Sequence, residues 1–383
     1  MTMQFADRVT RVEPSATVAI GNKAAELKAD GVDVVDLSVG EPDFDTPEHI
    51  VEAGQEAMGA GQTTYTASSG IPALREAISE TFAETGLEYG TDEIIVTPGA
   101  KQALFEVIMA MIDDGDEVVL FDPAWVSYEA IVRMAGGTPV RVDLAQHGFS
   151  LEPAIDDLAG MISDATELVV INSPSNPSGA VFSDAALEAV RDLAIDHDLT
   201  VISDEIYRRI SYGTDPTSIG SLPDMNDRTI TINGFSKAYA MTGWRLGYVG
   251  APKPLIDQAG KLHSHSVTCA ANFVQQAGVE ALTNTDPSVI QGMVDAFEER
   301  RDLLVELFGE QGVDIDPPDG AFYMMVSVDE DDQAWCERAI EEAHVAMVPG
   351  GAFGTSGYAR LSYAAATDRL REGVKRLAEA ELL

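Results

Sequence analysis

The sequence predicts an α/β fold in which a large domain, built on a mostly parallel mixed sheet flanked by helices, is joined to a small α+β domain. Three observations support this prediction. At 383 residues, the chain is longer than one ordinary hydrophobic core organises. Between about residues 45 and 285, β-branched apolar runs alternate with helical patterns, as in parallel sheets covered on both faces. Residues 286–383 lack this alternation.

Seven segments of the large domain have the apolar, β-branched composition of buried strands. Helices are predicted between most of them, for example over residues 101–112, 124–135 and 184–197. Sheets of this type bind ligands at the carboxyl ends of their strands, so functional residues are expected there. The predicted strands are 93–99, 116–122, 138–144, 167–173, 199–205, 229–235 and 246–251.

The small domain is predicted from the patterns near the end of the sequence. A helical pattern over residues 287–310 leads to strand-like runs at 320–328, 345–350 and 358–364 and then to a last helix. We therefore divide the chain into three parts. They are an N-terminal segment (1–44) that packs with the small domain, a large domain (45–285) that carries the functional site, and the small C-terminal domain (286–383).

The composition is strongly acidic, with 64 Asp and Glu against 24 Lys and Arg and a formal net charge of -40. Because so few basic residues could neutralise phosphates along a duplex, nucleic acid is not expected as a partner. There is no run of membrane-spanning length, and the start MTMQFADRVT lacks the apolar core of a signal peptide. Together with two widely separated cysteines, Cys269 and Cys336, these features predict a soluble cytoplasmic protein without disulfides.

Residues 96–104, VTPGAKQAL, pass from a predicted strand through Gly99 into a helix. The backbone N–H groups around Gly99, Ala100 and Lys101 then lie at a helix N-terminus, which suits a phosphate or a carboxylate. Many turns of this kind only redirect the chain, so the motif needs support from other segments.

Two further strand ends carry polar residues. In NSPSNPSG (172–179), Asn176 precedes a proline, which fits either a plain polar loop or a cis bond that directs the amide toward a ligand. In ISDEIY (202–207), Asp204 ends a strand made for burial, and a buried carboxylate needs a cationic partner unless it only caps a helix. A protonated ring nitrogen would be such a partner, and Tyr207 is close in the sequence.

The segment NGFSKAYAMTGWRLGY (233–248) places Lys237 among small and aromatic residues, about one helical turn beyond a predicted strand, with Arg245 eight positions further on. Partial burial and a nearby cation both lower the pKa of an amine and make it a nucleophile toward carbonyl groups. A lysine with its ammonium group in solvent is the alternative. Taken together, the phosphate turn, the strand-end carboxylate and this lysine match what pyridoxal phosphate requires of a protein.

The chain resembles the fold-type I, class I aminotransferases over essentially its full length, and within them the prokaryotic aspartate aminotransferase branch. The most specific pattern is SKxxxxxGxRxGY, from Ser236 to Tyr248, preceded by a DExY strand end about thirty residues earlier. Other matching segments are PSATVAI (14–20), LSVGEPDFDTPEHI (37–50), YTASSGIPALREAI (65–78), NSPSNPSGAVF (172–182), GAFYMM (320–325) and ARLSYA (359–364).

This resemblance implies a role for each matching residue toward pyridoxal phosphate. Lys237 would bind the cofactor covalently and later move a proton, while Asp204 would keep the pyridine nitrogen protonated. Tyr207 and Asn176 would hydrogen-bond the phenolic oxygen of the cofactor. The phosphate would be held by Ser236, Arg245, Gly99, Ala100 and Lys101, the ring would stack on Trp125, and Tyr65 would reach the phosphate in a neighbouring subunit. A homodimer with shared active sites is therefore implied.

For the substrate, the resemblance implies that Arg360 binds the α-carboxylate, with Gly40 and Asn176 beside it. Lys101 would face the side-chain carboxylate of aspartate or glutamate, unless it serves only the phosphate turn or lies in solvent. In some relatives this lysine acts with a second lysine just before the PSAT motif to accept prephenate. Glu13 reverses that charge here, which argues against prephenate activity.

The predicted function is a ping-pong transamination from an L-amino acid, with aspartate as first choice, to a 2-oxo acid, with 2-oxoglutarate as first choice. An aromatic, alanine or kynurenine-type aminotransferase and a pyridoxal-phosphate-dependent C–S lyase remain alternatives, because they share most of these residues. A DNA-binding regulator is not expected, since no such domain lies ahead of residue 14. No metal is expected either: His263 and His265 have a spacing that suits a metal on a strand, but no acidic residue or third histidine lies close to them in the sequence.

The acidic charge also predicts adaptation to a salt-rich cytoplasm, because salt screens the repulsion between carboxylates. We expect the thermal unfolding midpoint to rise between about 0.1 M and about 1 M KCl, over which the Debye length falls from about 10 Å to about 3 Å. Scanning calorimetry at several KCl concentrations measures this. A protein that became more stable when molar salt was removed would contradict the expectation.

Overall fold

The N-terminal segment packs against the C-terminal part of the chain in the computed structural model, which describes residues 3–383. It contains helices α1 (Asp7–Thr10) and α2 (Ala16–Ala29) and the short strand β1 (Val35–Asp36). Strand β1 pairs in parallel with residues 345–346, and a small shared core consists of Ala24, Val34, Ile340 and Ala346. These contacts fit the expected packing of the segment, while the boundaries at residues 44 and 285 stay predictions.

A seven-stranded sheet forms the centre of the large domain, and it includes all seven strands predicted from the sequence. The strands are β2 (Ile94–Thr97), β3 (Glu117–Asp122), β4 (Thr138–Asp143), β5 (Thr166–Asn172), β6 (Thr200–Asp204), β7 (Thr229–Gly234) and β8 (Gly247–Gly250). Their order in the sheet is β2-β8-β7-β6-β5-β3-β4. Only β8 runs antiparallel to its neighbours, so the predicted mixed, mostly parallel sheet is confirmed.

The strands form where they do because both of their faces are buried. In β3, Val118 and Leu120 belong to one apolar cluster, whereas Val119 and Phe121 belong to the cluster on the opposite face. This alternation follows from the two-residue period of a strand. Helices cover both faces, which is the condition for continuous apolar runs in a parallel sheet.

The large domain contains eight helices within the described part of the chain. Most follow or precede a strand of the sheet, as the alternating patterns predicted. They are α3 (Glu48–Gly59), α4 (Pro72–Ala83), α5 (Ala100–Met111), α6 (Val126–Ala135), α7 (Ile155–Met161), α8 (Asp184–Asp196), α9 (Lys253–Ser266) and α10 (Asn272–Asn284).

The small domain is an α+β unit that follows a long helix. Its elements are α11 (Pro287–Glu310), β9 (Tyr323–Ser327), α12 (Asp332–Glu341), β10 (Val345–Ala346), β11 (Val348–Pro349), β12 (Tyr358–Ser362) and α13 (Thr367–Glu379). Strands β11, β12 and β9 form an antiparallel sheet in that order. Phe297 of α11 packs on Phe44, Phe322 and Tyr363, which ties this domain to the end of the N-terminal segment.

The segment around Lys237 differs from the expectation of a helical turn. Between β7 and β8 the chain forms irregular turns, in which Ala240 and Arg245 have positive φ values of 50° and 57°. The reason lies in the topology. Strands β7 and β8 are antiparallel neighbours, and Gly234 at the end of β7 lies opposite Gly247 at the start of β8. The connection therefore begins and ends at the same end of the sheet and needs no crossover helix.

None of the helices formed by residues 3–383 is both long enough and apolar enough to cross a membrane.

Candidate active site

A cavity of about 480 Å³ opens at the carboxyl ends of β5, β6 and β7. Its position agrees with the rule for ligand sites in such sheets. Most of the residues predicted from the sequence line it. These are Gly40, Ala100, Lys101, Trp125, Asn176, Asp204, Tyr207, Ser236, Lys237, Arg245 and Arg360.

Asp204 is the most buried acidic group of this cavity, with 3% of its surface exposed. Burial raises the pKa of its carboxyl to about 6, although a hydrogen bond from Tyr128 opposes that shift. The Tyr128 hydroxyl donates to Oδ2 at 2.8 Å, and the Ile206 backbone N–H donates to Oδ1 at 3.2 Å. Among residues 3–383, no lysine or arginine forms an ion pair with this carboxylate, so the cation that the sequence required is not supplied by the described protein.

Two neighbours of Asp204 were missed by the sequence interpretation. Tyr128 is buried on α6, and its ring lies 5.3 Å from that of Trp125, the residue just before the helix; both residues line the cavity. Asn172 lies opposite Asp204 across β5 and β6; its Nδ2 donates to the Asp204 carbonyl at 2.9 Å, and its Oδ1 accepts from the Asn176 N–H at 2.8 Å. Asn172 thus links two predicted site residues, and its place at a strand end was the available signal.

Lys237 projects into the cavity from the turn after β7. Its Nζ donates a hydrogen bond to the Gly40 carbonyl and lies 5.5 Å from the centre of the Tyr207 ring. Burial lowers the pKa of this amine to about 8, with Arg360 as the next cause. Arg245, which the sequence had suggested as the second cause, contributes less than Arg360. The consequence matches the expectation: the amine is far easier to deprotonate than an ordinary lysine.

The phosphate turn is closely packed around Arg245. Gly99 has a φ of 90°, and a Cβ there would lie 2.4 Å from Nη2 of Arg245. A Cβ on Gly247 would lie 2.3 Å from the Ala100 backbone nitrogen. Arg245 itself donates to the Thr242 and Pro98 carbonyls at 2.8 and 3.4 Å, with no carboxylate partner among the ion pairs of residues 3–383. A guanidinium therefore lies beside free backbone N–H groups at the start of α5, an arrangement that suits a phosphate.

Arg360, on β12, approaches the cavity from the small domain and is 2% exposed. Its Nη2 donates to the Ser38 carbonyl at 2.6 Å, and its Nη1 donates to Oδ1 of Asn176 at 3.2 Å. Its Nε has no hydrogen-bond partner within residues 3–383. A buried guanidinium that contacts only neutral groups is suited to bind an anion.

Tyr323, on β9, is a further residue that the sequence interpretation did not single out. The Arg360 guanidinium lies 4.6 Å from the centre of its ring, and its hydroxyl lies 3.0 Å from the Tyr207 hydroxyl. Burial raises the pKa of Tyr207 well above its usual range. Tyr207 therefore stays a neutral phenol, and Tyr323 fixes the direction of its hydroxyl.

Lys101 and Trp125 lie together in the wall of the cavity. The Lys101 ammonium is 4.6 Å from the centre of the Trp125 ring. Burial lowers the pKa of Lys101, and Arg245 lowers it further. Another part of the cavity wall is formed by α2, through Thr17, Val18 and Gly21. Apart from the PSAT motif, nothing in the sequence predicted that α2 lines the cavity.

Three other predicted features lie outside the cavity. Gly99 adjoins it through Arg245 but does not line it, Tyr65 is 84% exposed, and Glu13 is exposed. His263 and His265 lie on helix α9 rather than on a strand, so residues two positions apart point in different directions. Among residues 3–383, no three His, Cys, Asp or Glu side chains are grouped so as to hold a metal ion.

The residues present fit pyridoxal phosphate. Asp204 is a buried carboxylate without a cation, and the pyridine nitrogen of the cofactor, when protonated, is a cation. The cradle of Gly99, Ala100 and Arg245 has no acidic partner and excludes a Cβ at its glycine. Lys237 has the lowered pKa that covalent binding of an aldehyde requires.

Comparison with known proteins also indicates an aminotransferase. The family model for aminotransferase class I and II matches residues 32–380. An aspartate/prephenate aminotransferase of Thermus thermophilus is 44% identical over 97% of this chain and 97% of its own length, and an aspartate aminotransferase of Geobacillus stearothermophilus is 42% identical over 98% of each. The solved Thermus thermophilus aspartate aminotransferase with maleate has a TM-score of 0.95 and 42% identity, covering 99% of this chain and 100% of that one.

The chain belongs to the class I and II aminotransferase family, as its fold and its cavity indicated. It is a pyridoxal-phosphate-dependent aminotransferase of fold type I, and it acts on amino acids and 2-oxo acids.

The burial of Asp204 has a consequence for stability. Above about pH 6 the cofactor-free protein holds an ionised carboxylate that burial disfavours, so Asp204→Asn should raise its free energy of unfolding by up to about 3 kcal/mol at pH 8. The gain should shrink as the pH is lowered from about 8 toward about 5, because the wild-type carboxyl then takes up its proton in the folded state. Urea unfolding of both cofactor-free proteins across this range measures the difference. A gain that did not depend on pH would contradict this account.

Proposed function

We propose that this aminotransferase transfers the amino group of L-aspartate to 2-oxoglutarate, with the residues of the cavity in the roles set out below. One observation supports the assignment of roles most strongly. A buried carboxylate without a cation, Asp204, and a buried guanidinium without an anion, Arg360, line the same cavity as Lys237. Each charge fits one partner: the cofactor nitrogen for Asp204 and the substrate α-carboxylate for Arg360.

On the cofactor side, Asp204 would hold a proton on the pyridine nitrogen, and Tyr128 and Asn172 hold Asp204 in place. Pyridoxal phosphate supplies the electron sink that stabilises negative charge on the substrate's α-carbon. Tyr207 and Asn176 would donate hydrogen bonds to the phenolic oxygen, and Trp125 would stack on the ring. The phosphate would be held by Ser236, Arg245, Gly99, Ala100 and Lys101.

Lys237 would anchor the cofactor covalently and then move the proton at the substrate's α-carbon. With a pKa of about 8, its amine can accept a proton near neutral pH and return it, which is the condition for an efficient acid–base group. Its position beside the Gly40 carbonyl places this amine near the segment that Arg360 also contacts through Ser38. The amine and the α-carboxylate site are thus held by the same stretch of chain.

Substrate orientation follows from Arg360. Its planar guanidinium can bind a carboxylate through two hydrogen bonds, and Gly40 and Asn176 lie next to that position. Lys101 provides a second cation for the side-chain carboxylate of aspartate. The relatives named aspartate aminotransferases support this choice of donor. We do not propose prephenate as a substrate, because Glu13 carries the wrong charge for it and lies exposed outside the cavity lining.

The broader assignments are also proposals. We propose a homodimer in which Tyr65 of one subunit serves the other's site, a view that the 84% exposure of this tyrosine supports. The large domain from 45 to 285 would carry the cofactor. We also propose a role in amino acid biosynthesis and salt adaptation, the latter from the charge of -40, while the cytoplasmic location stays a prediction of the sequence.

The covalent role of Lys237 is tested by Lys237→Ala. Because the substitution removes the amine that would bind the cofactor's aldehyde, the variant should lose both the visible absorbance of the bound cofactor and transamination. Absorbance spectra and turnover with aspartate and 2-oxoglutarate measure the two losses. Lys375→Ala, at an exposed lysine of α13, is the matched control and should behave as wild type. Full activity of Lys237→Ala would refute the proposed role.

The choice of aspartate is tested by Lys101→Met in single-turnover reactions with the amino donor alone. Losing a charged hydrogen bond of about 1.5–3 kcal/mol should lower the rate constant divided by the apparent dissociation constant about 10- to 100-fold for aspartate. Alanine, which has no side-chain carboxylate, should be little affected. Equal losses for both donors would instead assign Lys101 to the phosphate.

Two results with the wild-type enzyme would contradict the proposed reaction. A preference for tyrosine, alanine or kynurenine as amino donor would overturn the choice of aspartate, and pyruvate release without an amino acceptor would indicate a lyase.

The shared site is tested by mixing subunits that carry Lys237→Ala with subunits that carry Tyr65→Ala. If Tyr65 acts across the dimer, each mixed dimer contains one complete site, because the Tyr65→Ala subunit keeps its lysine and receives the tyrosine of its partner. After random reassociation, about a quarter of wild-type activity should return. If Tyr65 acts within its own subunit, or if the protein does not exchange subunits as a dimer, mixing should restore nothing.

A further inference from the structure

A glutamate and a histidine form a buried pair outside the cavity. Nδ1 of His263, on α9, lies 3.0 Å from both carboxylate oxygens of Glu106, on α5. The two residues are 0% and 1% exposed. None of the roles assigned above uses either residue, and the contact could not be predicted from the sequence because 157 positions separate the two.

Two more side chains complete the group, which we call the Glu106 cluster: Glu106, His263, Gln102 and Ser266. Gln102 Nε2 donates to Oε1 of Glu106 at 2.7 Å, and Ser266 Oγ donates to the same oxygen at 3.2 Å. Nε2 of His263 has no hydrogen-bond partner within residues 3–383. The side-chain hydrogen bonds of the imidazole therefore go only to Glu106 in the described structure.

The Glu106 cluster is not needed merely to pack helix α5 against helix α9. The surrounding contact between α5 and α9 is apolar, with Ala103, Val107, Ile256 and Ala259 in one core cluster. Apolar residues at positions 106 and 263 would avoid the desolvation of a carboxylate and an imidazole. Directional hydrogen bonds can also select one register between two packed helices, a role attested for buried polar side chains. Those of the cluster join α9 to Glu106 of α5 and therefore oppose a shift of α5 along or around its axis.

The position of α5 matters because its first residues form the phosphate turn. The helix begins at Ala100, directly after Gly99, and Gln102 connects Glu106 back to this first turn. A misplacement of about 1 Å in a binding group can cost about 100-fold in function. We propose that the Glu106 cluster consists of positioning residues that hold the N-terminus of α5 in the register that binds the cofactor's phosphate. This inference rests on the phosphate-binding part of the proposed function.

The test compares two ligands of the cofactor-free protein, pyridoxal phosphate and pyridoxal, which lacks the phosphate. The main variant is the double substitution Glu106→Met with His263→Leu, which leaves no unpaired buried charge and should keep the thermal midpoint close to wild type. We expect its dissociation constant for pyridoxal phosphate to rise about tenfold, equivalent to weakening one charged hydrogen bond, while that for pyridoxal stays unchanged. Absorbance titration measures both constants.

Two further variants serve as controls. His263→Asn keeps an N–H donor near the position of Nδ1, so it should retain most of the affinity for pyridoxal phosphate that the double variant loses. His49→Leu removes a partly buried histidine of α3 whose side chain lies 2.9 Å from the Thr285 hydroxyl, away from α5. It should leave both dissociation constants unchanged.

Three outcomes would overturn the inference: wild-type affinity of the double variant for both ligands, an equal loss for both ligands, or a loss that follows the thermal midpoint across all variants. The last two would mean a purely structural role. These failures differ from a failure of the proposed function. If the wild-type protein bound pyridoxal phosphate no more tightly than pyridoxal, the phosphate site itself would be refuted.

Discussion

The site depends on one energetically unfavourable feature, the carboxylate of Asp204, which is buried at the end of β6 and forms no ion pair with a lysine or arginine of residues 3–383. Burial raises the pKa of Asp204 to about 6, and the surrounding protein offers it only neutral donors. Such a group destabilises the empty protein and favours whatever brings a positive charge to it. Tyr128 and Asn172 hold Asp204 in place through hydrogen bonds, and Lys237 lines the same cavity.

A second constraint acts from the opposite domain. Arg360 is a buried cation without an anion, held between Ser38 and Asn176. The two charges have opposite sign but do not form an ion pair with each other, because each makes its hydrogen bonds to neutral groups. A molecule with a cationic ring at one end and a carboxylate at the other would satisfy both. The electrostatics therefore suit the proposed complex of cofactor and amino acid better than either component alone.

The sheet and most of the cavity could be predicted from the sequence because their signals are local. Apolar runs buried on both faces define the seven strands, and polar residues at the ends of those runs define Asp204, Asn176 and the Gly99 turn. Contacts between distant segments could not be predicted in this way. Tyr128 and Tyr323 look like ordinary core aromatics until the fold brings their hydroxyl groups to Asp204 and Tyr207. The irregular turn that carries Lys237 was not predicted, because it results from the antiparallel pairing of β7 and β8. No residue within the turn indicates that pairing.

The wall of the cavity formed by α2 differs from the rest in how much change it tolerates. Around the phosphate turn, a single methyl group at Gly99 or Gly247 would collide with Arg245 or with the backbone. On α2, Val18 is 58% exposed, and a Cβ at Gly21 would meet nothing within 4 Å. Natural variation and directed evolution can therefore alter this helix without disturbing the cofactor. The range of amino donors can diverge among descendants of this enzyme while its chemistry stays the same.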